Sequence, residues 1–158
     1  MATNTTRIVM LKIAELKEED MEQIFSIEEK AHLVPWSLGI LKNSQGENYC
    51  NLLLKDGENP IGFAICQKVL DEATLLNIVI DPAVQQHGNG TFLLNALLER
   101  LKKEGIVTVW LEVRVGNEKA IHLYKKLQFE DKGKRKNYYP LPDGGREDAW
   151  VMARDLTS

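Results

Sequence analysis

The stretch EATLLNIVI (72–80), DPAVQQHGNG (81–90), TFLLNALLERLKKEG (91–105) and IVTVWLEVR (106–114) decides the fold. Its first block is apolar-rich and stops at Asp81-Pro82, which reads as a strand from about Glu72 to Ile80. Leu93, Leu94, Leu97, Leu98 and Leu101 then fall on one face of a helix. Gly105 suits the position just past that helix, where a left-handed residue ends it. Val107 to Arg114 is apolar again and reads as a second strand. Strand, helix and strand in this order form a βαβ unit, so the strands ending at Ile80 and Arg114 should be parallel.

On the N-terminal side, residues 8–14 read as a strand and 18–31 as an amphipathic helix, with Met21, Ile24, Phe25, Glu28 and Ala31 at helical spacing. Pro35 closes that region, and Ser37 is placed to cap a short helix through about Asn43. Tyr49 to Lys55 and Pro60 to Val69 flank the polar turn Asp56-Gly57-Glu58-Asn59, a β-hairpin pattern. These strands and the one at 72–80 should be antiparallel neighbours, because their connections are too short for a crossover. On the C-terminal side, Asn117 caps a helix through about Leu127, and two last strands lie near 130–138 and 148–156. The expected fold is one α/β domain over residues 1–158, with a mostly antiparallel seven-stranded mixed sheet, one parallel β-α-β pair and four helices.

A chain of 158 residues is long enough to bury roughly 70% of its unfolded surface, so it needs no disulfide or metal to hold it. Cys50 and Cys66 sit in apolar stretches outside any CxxC pair, which argues for buried free thiols and a reducing compartment. Arg7 is followed by only four apolar residues before Lys12, too few for a signal-peptide core. No stretch approaches the ~20 apolar residues of a membrane span. The expected location is the cytoplasm, with no membrane partner. A net charge of −3 argues against nucleic acid as a direct ligand. His32, His87 and His122 lack ligand spacing, so no metal is expected.

Between the strand and helix of the βαβ unit lies Gln85-Gln86-His87-Gly88-Asn89-Gly90-Thr91. Glycines at 88 and 90 let backbone N–H groups approach an anion, and the helix N-terminus adds a favourable dipole. That suits a pyrophosphate, although a plain structural turn has the same composition. A dinucleotide fold does not fit. Its fingerprint wants a third glycine at position 93, which is Leu, and wants the glycines directly after the strand, where Asp81 to His87 intervene. The acid expected at a strand end is also missing, since Glu112 sits inside its strand.

Gln85-x-x-Gly88-x-Gly90 resembles the acetyl-CoA signature of the GNAT acetyltransferases, and the element order matches that fold across nearly the whole chain. Further segments are similar to the RimI-type branch, which acetylates the N-terminal alanine of a small-subunit ribosomal protein. They are Ala31-His32 with Pro35-Trp36-Ser37, Leu70 to Leu75, Trp110 to Arg114, Asn137 to Pro140, and Gly145 to Ala149. The resemblance implies acetyl-CoA as acetyl donor and a ribosomal protein N-terminus as partner, with the chain acting as a monomer. It implies that backbone groups of Ile78, Val79 and Ile80 hold the pantetheine arm, like a strand added to a sheet edge. Gln86, His87, Gly88, Asn89, Gly90 and Thr91 would hold the pyrophosphate, mainly through main-chain N–H groups. Asn117 would bond the cofactor arm, cap its helix, or do both.

Acetyl transfer to an amine needs a base, because an ammonium cannot attack a thioester. Glu112 is the one ionisable side chain in Val109-Trp-Leu-Glu-Val113, and by resemblance it takes the base position. A carboxylate simply bonded on the sheet's polar face is the other reading. The departing thiolate needs a proton, and Tyr124 lies in a helix similar to the family's Asn-x-x-Ala-x-x-Leu-Tyr pattern, although it also shares a helical face with Ala120 and Leu127. A cysteine relay has no sequence support, as neither thiol has a cationic neighbour in the chain. Trp36, Tyr138 and Tyr139 read as loop aromatics, either covers for the core or contacts to an acceptor peptide. Gln128 stands where the family has glycine; a positive φ there costs a non-glycine residue roughly 1–2 kcal/mol.

Overall fold

The computed structural model describes residues 10–85 and 87–157. Seven strands form one sheet: β1 (Leu11–Glu15), β2 (Leu52–Asp56), β3 (Asn59–Val69), β4 (Glu72–Ile80), β5 (Thr108–Arg114), β6 (Glu130–Pro140) and β7 (Arg146–Asp155). Four helices accompany them: α1 (Met21–Ala31), α2 (Leu38–Asn43), α3 (Asn89–Lys103) and α4 (Glu118–Lys126). The strand order is β1-β2-β3-β4-β5-β7-β6, and only β4 and β5 run parallel. This is the expected mixed sheet with its one βαβ crossover through α3.

Local signals explain most boundaries. Ser37 Oγ accepts from the Ile40 N–H at 3.1 Å and starts α2, while Asn117 Oδ1 accepts from the Ala120 N–H at 3.2 Å and starts α4. Gly105, at φ 88°, ends α3. The helix expected over 18–31 opens instead with a 3-10 turn at Glu18–Asp20, closed by the Asp20 carboxylate on the Lys17 N–H at 2.9 Å. The strand expected over 49–55 begins at Leu52, because the Asn51 side chain takes the Cys66 N–H at 3.0 Å in place of a ladder bond. Of the strand expected over 8–14, residues 8 and 9 lie outside the described residues.

The sheet is packed on both faces. Leu93, Leu94, Leu97, Leu98 and Leu101 of α3 are all buried, in one core with Tyr124 and Leu127. Burying each such leucine stabilises the fold by about 1.5–3 kcal/mol. Ile24 and Ile27 of α1 and Leu41 of α2 fill a second core on the opposite face with Phe63, Ile65 and Val79. Alternate residues of β3 and β4 therefore serve opposite cores, as period-two strands require.

One irregularity opens the sheet. Ile65 faces Asn77 and Cys66 faces Leu75, so Leu76 is an extra residue bulged out of β4. A bulge bends its strand and increases the local twist. Accordingly β4 and β5 pair only over Glu72–Leu75 with Thr108–Leu111, although β4 continues to Ile80 and β5 to Arg114. Beyond that point the strands diverge and leave a wedge between them.

Candidate active site

A cleft of about 790 Å³ occupies this wedge. Asn77, Ile78 and Ile80 form one wall and Glu112, Val113 and Arg114 the other. With no strand opposite, the backbone edge of β4 beyond Leu75 that faces β5 lacks a ladder partner. Ile78 and Ile80 line the cleft, whereas the Val79 side chain belongs to the opposite core, so Val79 has only its backbone to offer.

At one end stands the N-terminus of α3. Gly88 has φ 77°, a conformation that favours glycine, and its carbonyl accepts the first helical bond from the Phe92 N–H at 3.0 Å. The N–H groups of Asn89, Gly90 and Thr91 in that first turn have no intrahelical acceptor, which makes a donor cradle for an anion. Asn89 spends its side chain on the loop, donating to the Val84 carbonyl at 2.9 Å. Gln85 acts likewise: its Nε2 donates to the Ile80 carbonyl at 3.0 Å and fastens the loop to the end of β4. His87 is exposed, and Gln86, expected at the pyrophosphate, lies outside the described residues. The cradle fits a pyrophosphate, and the wedge fits an extended arm leading from it.

Glu112 has polar partners from β6 in spite of its apolar sequence neighbours. Its side chain is 24% exposed and is ion-paired with Arg135 of β6. The Tyr138 hydroxyl donates to its Oε1 at 3.1 Å, and the Tyr139 hydroxyl donates to its backbone carbonyl at 3.1 Å. Arg135 also lies over the Tyr138 ring and Arg114 over the Tyr139 ring. Both tyrosines sit in β6, which runs to Pro140, past the strand end expected near 138. The strand register slips between Arg135 and Tyr139, where Asn137 takes φ 52°, and pairing resumes through Tyr139 and Glu147. Burial, then the Glu112 charge, pushes the Tyr139 hydroxyl up to about 12; burial and the bond to Glu112 push Tyr138 up as well. Both remain protonated donors at neutral pH.

Tyr124 lines the same cleft from α4, with its ring packed against Phe129. Among the described residues its hydroxyl has no hydrogen-bond partner. Burial, reinforced by Tyr139, pushes its pKa well up, so it is a proton donor across the usual assay range. Asn117 lines the cleft while its Oδ1 caps α4, leaving its amide N–H₂ for another contact. Glu147, which the sequence reading passed over, accepts from the Gly116 N–H at 2.9 Å and fastens the turn that carries Asn117. A Cβ at Gly116 would come within 2.7 Å of that carboxylate. Trp36 lines the entrance from the loop between α1 and α2.

Both thiols are buried away from this cleft, and burial pushes Cys50 up to about 11 and Cys66 further. Among the described residues no group of three His, Cys, Asp or Glu is placed to hold a metal ion, and no helix is long and apolar enough to cross a membrane.

The family model described as Acetyltransferase (GNAT) family matches residues 10–129. The chain belongs to the GNAT acetyltransferase family. Among GNAT relatives, the ribosomal protein bS18-alanine N-acetyltransferase of Haemophilus influenzae is 55% identical over 141 residues, 89% of this chain and 96% of that protein. The enzyme of the same name from Escherichia coli K12 is 46% identical over 148 residues, 94% of this chain and 99% of that protein. The crystal structure of the ribosomal-protein-S18-alanine N-acetyltransferase from Escherichia coli superposes with a TM-score of 0.89 over 93% of this chain and 94% of that one. Arabidopsis thaliana NAA60 in complex with acetyl-CoA, 16% identical, reaches a TM-score of 0.86 over 94% of this chain and 100% of that chain, a likeness of fold alone. Gln128, in the turn after the GNAT α4 helix, has φ 71°, so this chain carries a non-glycine residue in a left-handed position.

Proposed function

We propose that this protein transfers the acetyl group of acetyl-CoA to the N-terminal α-amine of a protein, with the N-terminal alanine of ribosomal protein bS18 as its substrate. Relatives bearing that name, 46–55% identical over 89–94% of the chain, support the choice of acceptor. One observation carries the chemistry: a carboxylate, Glu112, and an unengaged hydroxyl, Tyr124, open on one cleft whose far end is a helix N-terminus.

Acetyl-CoA supplies the thioester carbonyl that a free amine attacks. The N–H groups of Gly88 to Thr91 hold the pyrophosphate, the open edge of β4 at Ile78 and Ile80 holds the pantetheine arm, and the Asn117 amide supplies a further bond to it. An α-amine has a pKa of about 7.7–8.0, some 2.5 units below lysine, so a carboxylate suffices to take its proton near neutral pH. Glu112 takes that proton once the acceptor displaces Arg135 from its carboxylate. Tyr124 gives its proton to the departing thiolate. Trp36, Tyr138 and Tyr139 border the acceptor, Tyr138 also orienting Glu112. The protein works as a monomer in the cytoplasm, where ribosomal proteins are made.

Acetylation of peptides beginning with Ala, Ser or Met, measured beside peptides with only an internal lysine, tests this reading. The Ala peptide should lead, and acetyl-CoA but not NAD should raise the melting temperature by mass action. Preference for lysine or for a small amine overturns the choice of acceptor, and a shift with NAD alone overturns the donor.

A further inference from the structure

Glu28 of α1 is fully buried, yet it lies outside the cleft and plays no part in the chemistry described above. Its partners do line the cleft. His32 Nδ1 lies 2.7 Å from Oε2, the Trp36 N–H donates to Oε2 at 3.0 Å, and Asn77 Nδ2 donates to Oε1 at 2.9 Å. His32 ends α1, Trp36 sits in the entrance loop, and Asn77 follows the bulge that opens the sheet.

A buried carboxylate is costly unless its oxygens are satisfied, and this one is satisfied only by groups at the mouth of the cleft. Among the described residues, the Trp36 bond to Glu28 is the one hydrogen bond made by residues 33–36. That entrance wall, with Leu33 exposed at its tip, is held by this one hydrogen bond and by the packing of Trp36 on the second core. An apolar residue beside Ile24 and Ile27 would fill the core and leave Trp36 held by apolar packing alone, with no directional bond to fix its backbone.

We propose that Glu28 is a positioning residue for the acceptor: it sets the gap between the His32–Trp36 wall and the Asn77 rim through which the acceptor's end enters. The proposal rests on the reading that this mouth admits the acceptor. It assigns Glu28 to acceptor binding, separate from donor binding and from the transfer step.

Glu28→Gln tests it with little change of shape, since the Asn77 amide can turn over and accept from the new side chain. What is lost is charge assistance on the bonds from Trp36 and His32. His32→Ala, at a half-exposed position, removes one arm and serves as the second variant. The KM for the acceptor should rise roughly 5- to 20-fold in Glu28→Gln, and less in His32→Ala. The kcat and the KM for acetyl-CoA should stay within about twofold of wild type. Hydrogen exchange at the Trp36 amide should quicken in both variants. Faster exchange with an unchanged acceptor KM would make Glu28 merely structural and overturn the proposal, as would a loss confined to kcat or to the acetyl-CoA KM. If Glu28→Gln does not fold, the same readouts on His32→Ala decide. The wild-type acceptor profile is measured first, so a wrong acceptor class shows there, and the variant comparison then runs on the amine the protein uses.

Discussion

Arg135 of β6 is ion-paired with Glu112 of β5 across the intervening strand β7, so the carboxylate at the centre of the cleft already has a cation beside it. On the proposed mechanism the acceptor ammonium competes for the same oxygen. Glu112→Gln keeps the bond from Tyr138 and removes both the basicity and the ion pair. Turnover at pH 7 should fall about 10²- to 10⁴-fold, and the loss should shrink at pH 9, where the α-amine is already free. Stability should change little, because a pair with an exposed arginine contributes about 0–1 kcal/mol. Unchanged turnover at both pH values would assign Glu112 to structure.

Tyr124→Phe separates packing from proton donation cleanly, since the hydroxyl makes no bond in the described protein and the ring stays on Phe129. The melting temperature should hold. Single-turnover rates should drop about 10²- to 10⁴-fold with acetyl-CoA affinity nearly unchanged. A folded, fully active variant removes Tyr124 from the mechanism and leaves water as the acid.

Gln128→Gly should stabilise the protein. Relief of the left-handed conformation at φ 71° is worth roughly 1–2 kcal/mol, offset by about 0.4–1 kcal/mol from the freer unfolded chain. The net, about 0–1.6 kcal/mol, should appear as a higher denaturant midpoint with the same slope. No gain would mean that the Gln128 side chain stabilises the turn by as much as the strain costs.

Glu28 makes stability depend on acid. Burial alone would raise its pKa, but the bonds from His32, Trp36 and Asn77 together outweigh burial and hold it below 4.5. A lowered native pKa means that the unfolded chain binds the proton more readily. The contribution is complete above pH 4.5 and is lost as pH falls through the lower native value. Urea midpoints of wild type and Glu28→Gln should therefore converge below that pH. Parallel pH profiles would show that the carboxylate carries no such linkage.

Much of the fold was written locally. The leucine spacing of α3, the caps Ser37 and Asn117, Gly105 and the short strand connections each act within a few residues, where propensity and periodicity operate. The glycines of the cradle at Gly88 and Gly90 were legible in the same way, whereas Glu112 and Tyr124 stood out through resemblance to the GNAT pattern, and the structure places both on the one cleft. Tyr138 and Tyr139 read as loop aromatics because Glu130 to Asn137 carries no apolar side chain, so no period-two alternation leads the strand into them.

The sequence by itself determined the family and the element order, and marked Glu112 and Tyr124 as the side chains proposed for the proton chemistry. Tertiary structure alone decided how they meet: the bulge at Leu76 that opens β4 from β5, the insertion of β7 between β5 and β6, the pairing of Arg135 with Glu112, and the anchoring of Trp36 by Glu28. Each of these depends on contacts between different elements. Local periodicity reports which face of an element is apolar, and carries no record of which distant strand or carboxylate will lie against it.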